Sequence, residues 1–197
     1  MGKREETRDR ILEIALQLFN EQGWGVVTTN HIAAAAGLSV GNLYYHFKNK
    51  EEIVRALYER LIVDTKNAFL MPTDRLPDLT DLERMIRANF VVLWQYRFLY
   101  RELIALLQRD PLLAGQYRGF REYGFQNFMA LFQQFHASGV FRPTTEAEIN
   151  QLAETCWILS EFYLPFVEIG GVVPSDAHLD HGVVLLRQAF TPYLNTK

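Results

Sequence analysis

The chain is predicted to be all-α, with about nine helices: an N-terminal three-helix unit followed by a longer helical region. Three observations carry this. Apolar residues recur at the 3.6 spacing of one helix face in every long segment, with no strand-like alternation anywhere. Glycine or proline marks most of the gaps between those segments. Around Gly37, two very short segments lie back to back, each preceded by a capping residue.

The first helix is expected over Thr7 to Gln22, with Ile11, Ala15, Leu18 and Phe19 inward and Gly23 as its stop. Trp24, beside Val26 and Val27, is expected to plug the gap between helices. Thr29 is read as the cap of a helix over Asn30–Ala36, because a threonine oxygen can accept from a free backbone N–H of the first turn. Gly37 ends that helix, and Ser39 caps the next, Val40–Phe47. Its inner residues are Leu43 and Phe47, packing on Ile32, Ala33 and Ala36. Val40, Gly41, Asn42, Tyr44, Tyr45 and His46 then point outward, an unusual exposed set with hydrogen-bonding tips on flat rings.

Asn49 caps a fourth helix to about Phe69, with Glu52 in capping-box position and Ile53, Leu57, Leu61 and Ala68 inward. Met71–Asp78 is a loop, and it suggests a first domain over 1–50, linked by helix 49–69 to a second over 70–197. There, Leu79, Leu82, Met85, Ile86, Phe90, Leu93 and Trp94 form a broad apolar stripe. A bend near Tyr96–Phe98 leads to a short helix over Leu99–Arg109. Asp110-Pro111 starts a long one to about Ala137, aspartate as cap and proline at the tolerated first position. Thr145 to Glu148 is a capping-box spacing opening a helix to about Ile169, kinked by Pro165, and the last helix runs from Ala177 to about Phe190.

Two helices joined by a short turn with a glycine form a helix-turn-helix unit, whose second helix enters the DNA major groove. The residues Ile32–Gly37 (I-A-x-x-A-G), Val40–Phe47 (V-G-x-L-Y-Y-H-F) and Lys48–Glu52 (K-x-K-E-E) resemble the tetracycline-repressor (TetR) family of bacterial regulators. The resemblance covers roughly the first quarter to third of the chain. It implies a homodimeric regulator, a repressor of transcription, with double-stranded operator DNA as partner. It further implies phosphate contacts from Thr29, Tyr45, His46 and Lys50 and base contacts from Val40, Asn42 and Tyr44. Thr28, Ser39, Gly41 and Lys48 complete the expected DNA face.

The net charge of −3 argues at first against a nucleic-acid partner, and residues 1–50 carry only six basic groups against five acidic ones. Position matters more than the sum. Lys3 and Arg4 are expected on a mobile tail and Lys48 and Lys50 just after the second short helix, so cations can collect on one surface. The N-terminus shows no signal-peptide core and no apolar run approaches the ~18 residues of a membrane span, so a cytoplasmic location is expected. Cys156 is the only cysteine, which excludes an internal disulfide and a cysteine-rich zinc site. No cofactor motif and no nucleophile with a neighbouring base appear, so no enzyme is expected. The pair His178 and His181 is read as two solvated side chains rather than a metal site.

Aromatic residues crowd positions 90 to 166, and most must be core. Phe90, Trp94, Tyr123, Phe128 and Trp157 are the candidates for lining a pocket that takes a small apolar or aromatic effector. A dimer interface is expected on the last two helices, at Cys156, Tyr163, Gly182, Leu185, Leu186 and Ala189, because the final helix is apolar on more than one side. The competing reading is a small-molecule binding module that does not bind an operator.

Overall fold

The computed structural model describes residues 2–195. Among them ten α-helices form and no strand: α1 (Lys3–Gln22), α2 (Thr29–Ala35), α3 (Val40–His46), α4 (Lys50–Ala68), α5 (Leu79–Gln95), α6 (Arg97–Arg101), α7 (Leu103–Arg109), α8 (Pro111–Ala137), α9 (Glu146–Ile169) and α10 (Asp176–Phe190). A 3-10 turn, Thr191–Tyr193, brings Leu194 to an isolated bridge with Phe141. The tenth helix arises because the segment expected as one helix over Leu99–Arg109 breaks at Glu102, which separates α6 from α7. Glu102 acts far from its own position in the chain, since its carboxylate accepts the Trp24 backbone N–H at 2.8 Å.

Two compact units divide the chain. One holds residues 2–63 and again Tyr96–Gly115; the other holds Asp64–Gln95 and residues 116–195. Thus α6 and α7 cluster with the N-terminal helices rather than with the remainder of residues 70–197. Asn20, on α1, shows how: its side-chain oxygen accepts the Phe98 N–H at 3.1 Å, and Phe19 packs on Phe98. The core of this unit is Ile11, Leu12, Ala15, Phe19, Ile32, Leu43, Phe47, Ile53 and Leu57, all shielded from water.

The second unit packs α5, α9 and α10 on one another. Its core includes Met85, Phe90, Leu152, Leu164, Leu179 and Leu186. Caps fix the starts of the later helices. The Asp110 carboxylate accepts from Leu112 and Leu113 at the head of α8. Thr145 and Glu148 form the expected capping box on α9, which with Arg142 holds the Glu148 carboxyl down at about 2. On α10, the His178 ring accepts the Ser175 N–H at 3.2 Å, so this histidine is a helix cap.

Candidate nucleic-acid interface

The turn between α2 and α3 is built as its residues require. Gly37 has φ 64°, a conformation that a side chain would strain, and the Leu38 N–H returns to the Ala33 carbonyl at 2.9 Å. The Ser39 hydroxyl accepts the Asn42 N–H at 3.2 Å and starts α3. The cap of α2 is Thr28, one residue earlier than expected. Its hydroxyl accepts the His31 N–H at 3.3 Å while its own N–H donates to the His31 ring at 3.4 Å, a reciprocal pair that Thr29 does not make. Freed from capping, the Thr29 hydroxyl lies 3.2 Å from the Tyr44 hydroxyl, linking the two helices.

Leu43 and Phe47 are buried, as are Ile32, Ala33 and Ala36 on the α2 side, and α2 packs on α3, which fixes the outward face of α3. Val40, Gly41, Asn42, Tyr44 and Tyr45 are exposed there, and His46 is half-buried. Thr28, Ser39 and Lys48 are exposed beside them.

Sequence reasoning missed two cations. Lys3 and Arg4 were expected on a tail, but α1 begins at Lys3, carrying Arg4 over the Tyr45 ring at 5.1 Å and Arg8 over Phe47 at 4.9 Å. Their i, i+4 spacing was the available signal; what it aligned with was not legible locally. Both guanidiniums are exposed, and with burial as the larger cause they hold His46 below the ordinary imidazole range.

Lys50, expected to contact a phosphate, is engaged by the chain itself. Its ammonium turns inward, donating to the Trp24 carbonyl at 2.6 Å and the Val27 carbonyl at 2.7 Å, and lies 4.1 Å from the centre of the Trp24 ring. Burial lowers its pKa, and Arg109, which covers the same indole, lowers it further. Lys50 therefore clamps the Trp24–Val27 loop to the head of α4.

In the second unit the five candidate pocket residues sit in different surroundings. Phe90 is fully buried against Tyr163, and Phe128 stacks on Phe190. Trp94 is half-buried on α5. Trp157 and Tyr123 do share a cluster, joined through Phe120. The expected interface residues also divide. Cys156, Tyr163, Gly182 and Leu186 face the protomer's own core, where the Cys156 thiol is pushed up to about 12 by burial. Gly182 permits a close approach inside the chain: a Cβ there would meet the Phe90 ring at 2.7 Å and Tyr163 at 2.9 Å. Leu185 and Ala189 are half-buried. The exposed apolar stripe is instead Ile158, Phe162, Phe166 and Ile169 on α9, the last two 72% and 86% exposed, with Val184 on α10.

Among the described residues no helix is long and apolar enough to cross a membrane. Residues 11–57 match the family described as bacterial regulatory proteins, tetR family, and residues 47–197 match the TetR family described as bacterial transcriptional repressor. The chain is similar to the HTH-type transcriptional regulator AcrR of Shigella flexneri, 42% identical over 28% of this chain and 26% of that protein. It is also similar to the HTH-type transcriptional repressor NicS of Pseudomonas putida, 27% identical over 73% of this chain and 63% of that protein. Thus it spans less than two thirds of each of these two relatives. A solved structure of a TetR-family transcriptional regulator from Marinobacter aquaeolei VT8 superposes with TM-score 0.87 at 31% identity, covering 100% of this chain and 93% of that one.

Proposed function

The chain belongs to the TetR family of bacterial transcriptional regulators, and from that premise we propose that it is a homodimeric repressor released from its operator by a small-molecule effector. The observation that carries the DNA-binding half is α3: a helix with a fixed buried side and an outward face of Val40, Asn42, Tyr44 and Tyr45, flanked by Arg4, Arg8 and Lys48. Amide and phenol tips at that position suit base edges, and the flanking cations suit phosphates, which position the helix without reading sequence.

One helix of seven residues makes few base contacts, so two copies related by a two-fold axis are required for tight binding to two half-sites. The Ile158, Phe162, Phe166 and Ile169 stripe, with Val184, supports an interface on α9 and α10, since apolar surface in such a row is otherwise costly to expose. The relatives named above are transcriptional regulators and not enzymes by name, consistent with a binding function.

Effector release requires that the ligand bind the DNA-free form more tightly, so operator and effector must weaken each other's binding by the same factor. A gel-shift of the protein against the DNA upstream of its own coding sequence, with an unrelated fragment as competitor, tests the first half. Retention of the upstream fragment alone supports the reading. Equal or absent retention of both overturns it in favour of a small-molecule binding module.

A further inference from the structure

Glu161 on α9 is only 7% exposed, and the Tyr117 hydroxyl of α8 donates to it at 2.7 Å. No arginine or lysine among the described residues forms an ion pair with this carboxylate; the Arg121 guanidinium, near enough to favour its charged form, lies over the Phe125 ring at 5.1 Å. A carboxylate left in this position is unfavourable, because burial penalises its charge more than one phenol repays. Burial accordingly raises its pKa.

One helical turn before it stands Trp157. Its indole N–H is buried without a properly formed hydrogen bond, though it lies near enough to Tyr117 and Glu161 to favour their charged forms. The ring is closely seated: a Cβ at position 124 would fall 2.3 Å from Trp157 Cζ3, so only glycine lets α8 approach this indole. Phe125 stacks on it at 5.6 Å, Phe120 lies at 6.2 Å, and Tyr123 stacks on Phe120. Tyr123 is 42% exposed and already has Lys66 Nζ 4.4 Å from its ring centre. The cluster therefore runs from a buried acid without a counter-ion to an exposed aromatic face that accepts a cation.

We infer that Glu161, Tyr117 and the rings of Phe120, Tyr123 and Trp157 form a subsite for the cationic head of a small organic effector, an alkylated or aromatic ammonium. The inference rests on the effector reading above and names its chemical class. An ammonium supplies the missing counter-charge to Glu161, and ring faces carry the negative end of their quadrupole toward it. An anionic ligand would meet a carboxylate, and no group of three or more His, Cys, Asp or Glu able to hold a metal ion occurs among the described residues.

The test uses the full chain, tryptophan fluorescence and two probes of equal shape, phenyltrimethylammonium and its uncharged isostere tert-butylbenzene. The cation should bind about tenfold more tightly than the isostere, and Glu161→Gln should erase that preference while changing isostere affinity less than about twofold. Circular dichroism confirms that the variant is folded. Trp157→Phe, which keeps a ring, should weaken the cation by a further several-fold. Equal binding of both probes, no binding of the cation at millimolar concentration, or an unchanged preference in folded Glu161→Gln would each overturn the subsite. Cation binding that leaves operator retention in the gel-shift untouched overturns the effector reading alone.

Discussion

Lys50 Nζ lies 4.1 Å from the centre of the Trp24 indole and donates to that same residue's carbonyl at 2.6 Å. A cation at the edge of the proposed DNA-binding surface is thus turned into the fold. Replacing it with methionine keeps the stem but leaves the Trp24 and Val27 carbonyls unpaired, which should cost about 2 kcal/mol of stability. Operator affinity should fall with the loosened loop, while the slope of log affinity against log salt stays unchanged. Lys48→Ala, at an exposed side chain, should instead lower that slope by about one unit. Thermal melts and salt titrations of the two variants separate the roles; a flattened slope for Lys50→Met would return Lys50 to the phosphates.

His46 supplies a pH dependence. Burial, then Arg4 and Arg8, hold it below the ordinary imidazole range in the free protein, so the ring is neutral there near pH 7. Tyr45, edge-on at 5.3 Å, is the other ring beside it. A phosphate brought to this imidazole raises its pKa, so the complex binds more protons than the free protein. Affinity should therefore rise as pH falls through the complex's His46 pKa and level off below the free protein's lower one. Between about pH 8 and about pH 6, operator binding by the unmodified protein should tighten, and by His46→Gln it should not. Anisotropy titrations at fixed salt read this, and a pH dependence surviving in His46→Gln would remove the histidine from the contact.

Exposed residues, rather than the buried and half-buried ones the sequence suggested, are where a substitution should split the proposed dimer. Phe162→Glu places a charge in the middle of the Ile158, Phe162, Phe166 and Ile169 row, at a side chain 44% exposed in the protomer. The fold should survive, because no buried contact is lost, and sedimentation should show monomers with operator affinity reduced at least about a hundredfold. An unchanged dimer would place the interface elsewhere.

What the sequence showed and hid divides by range. The stops at Gly23 and Gly37 and the caps at Ser39, Asp110 and Thr145 are local chemistry, and the structure forms each where it was read. The inward set of α3 followed from periodicity for the same reason. Thr28 and Thr29 were equivalent as letters, and only the reciprocal bond with the His31 ring decided between them. The Lys50 acceptors are loop carbonyls more than twenty residues away, and Glu102 serves a backbone N–H 78 residues away. No spacing rule reaches that far. On α9 and α10 the apolar residues suit either a core or an interface by type, so their facing required the packed helices.

A footprint tests α3 as the operator-reading helix most directly. Hydroxyl-radical cleavage of the DNA upstream of the coding sequence, with protein added at physiological salt, should show two protected patches related by a dyad, their centres about one helical turn or a multiple apart. Asn42→Ala should keep the general affinity but blur the patches, since the exposed amide is proposed to read a base and a lost bidentate contact relaxes discrimination by about 1–3 kcal/mol. Uniform cleavage by the unmodified protein, or protection indifferent to sequence, would contradict the assignment of α3 as the helix that reads an operator.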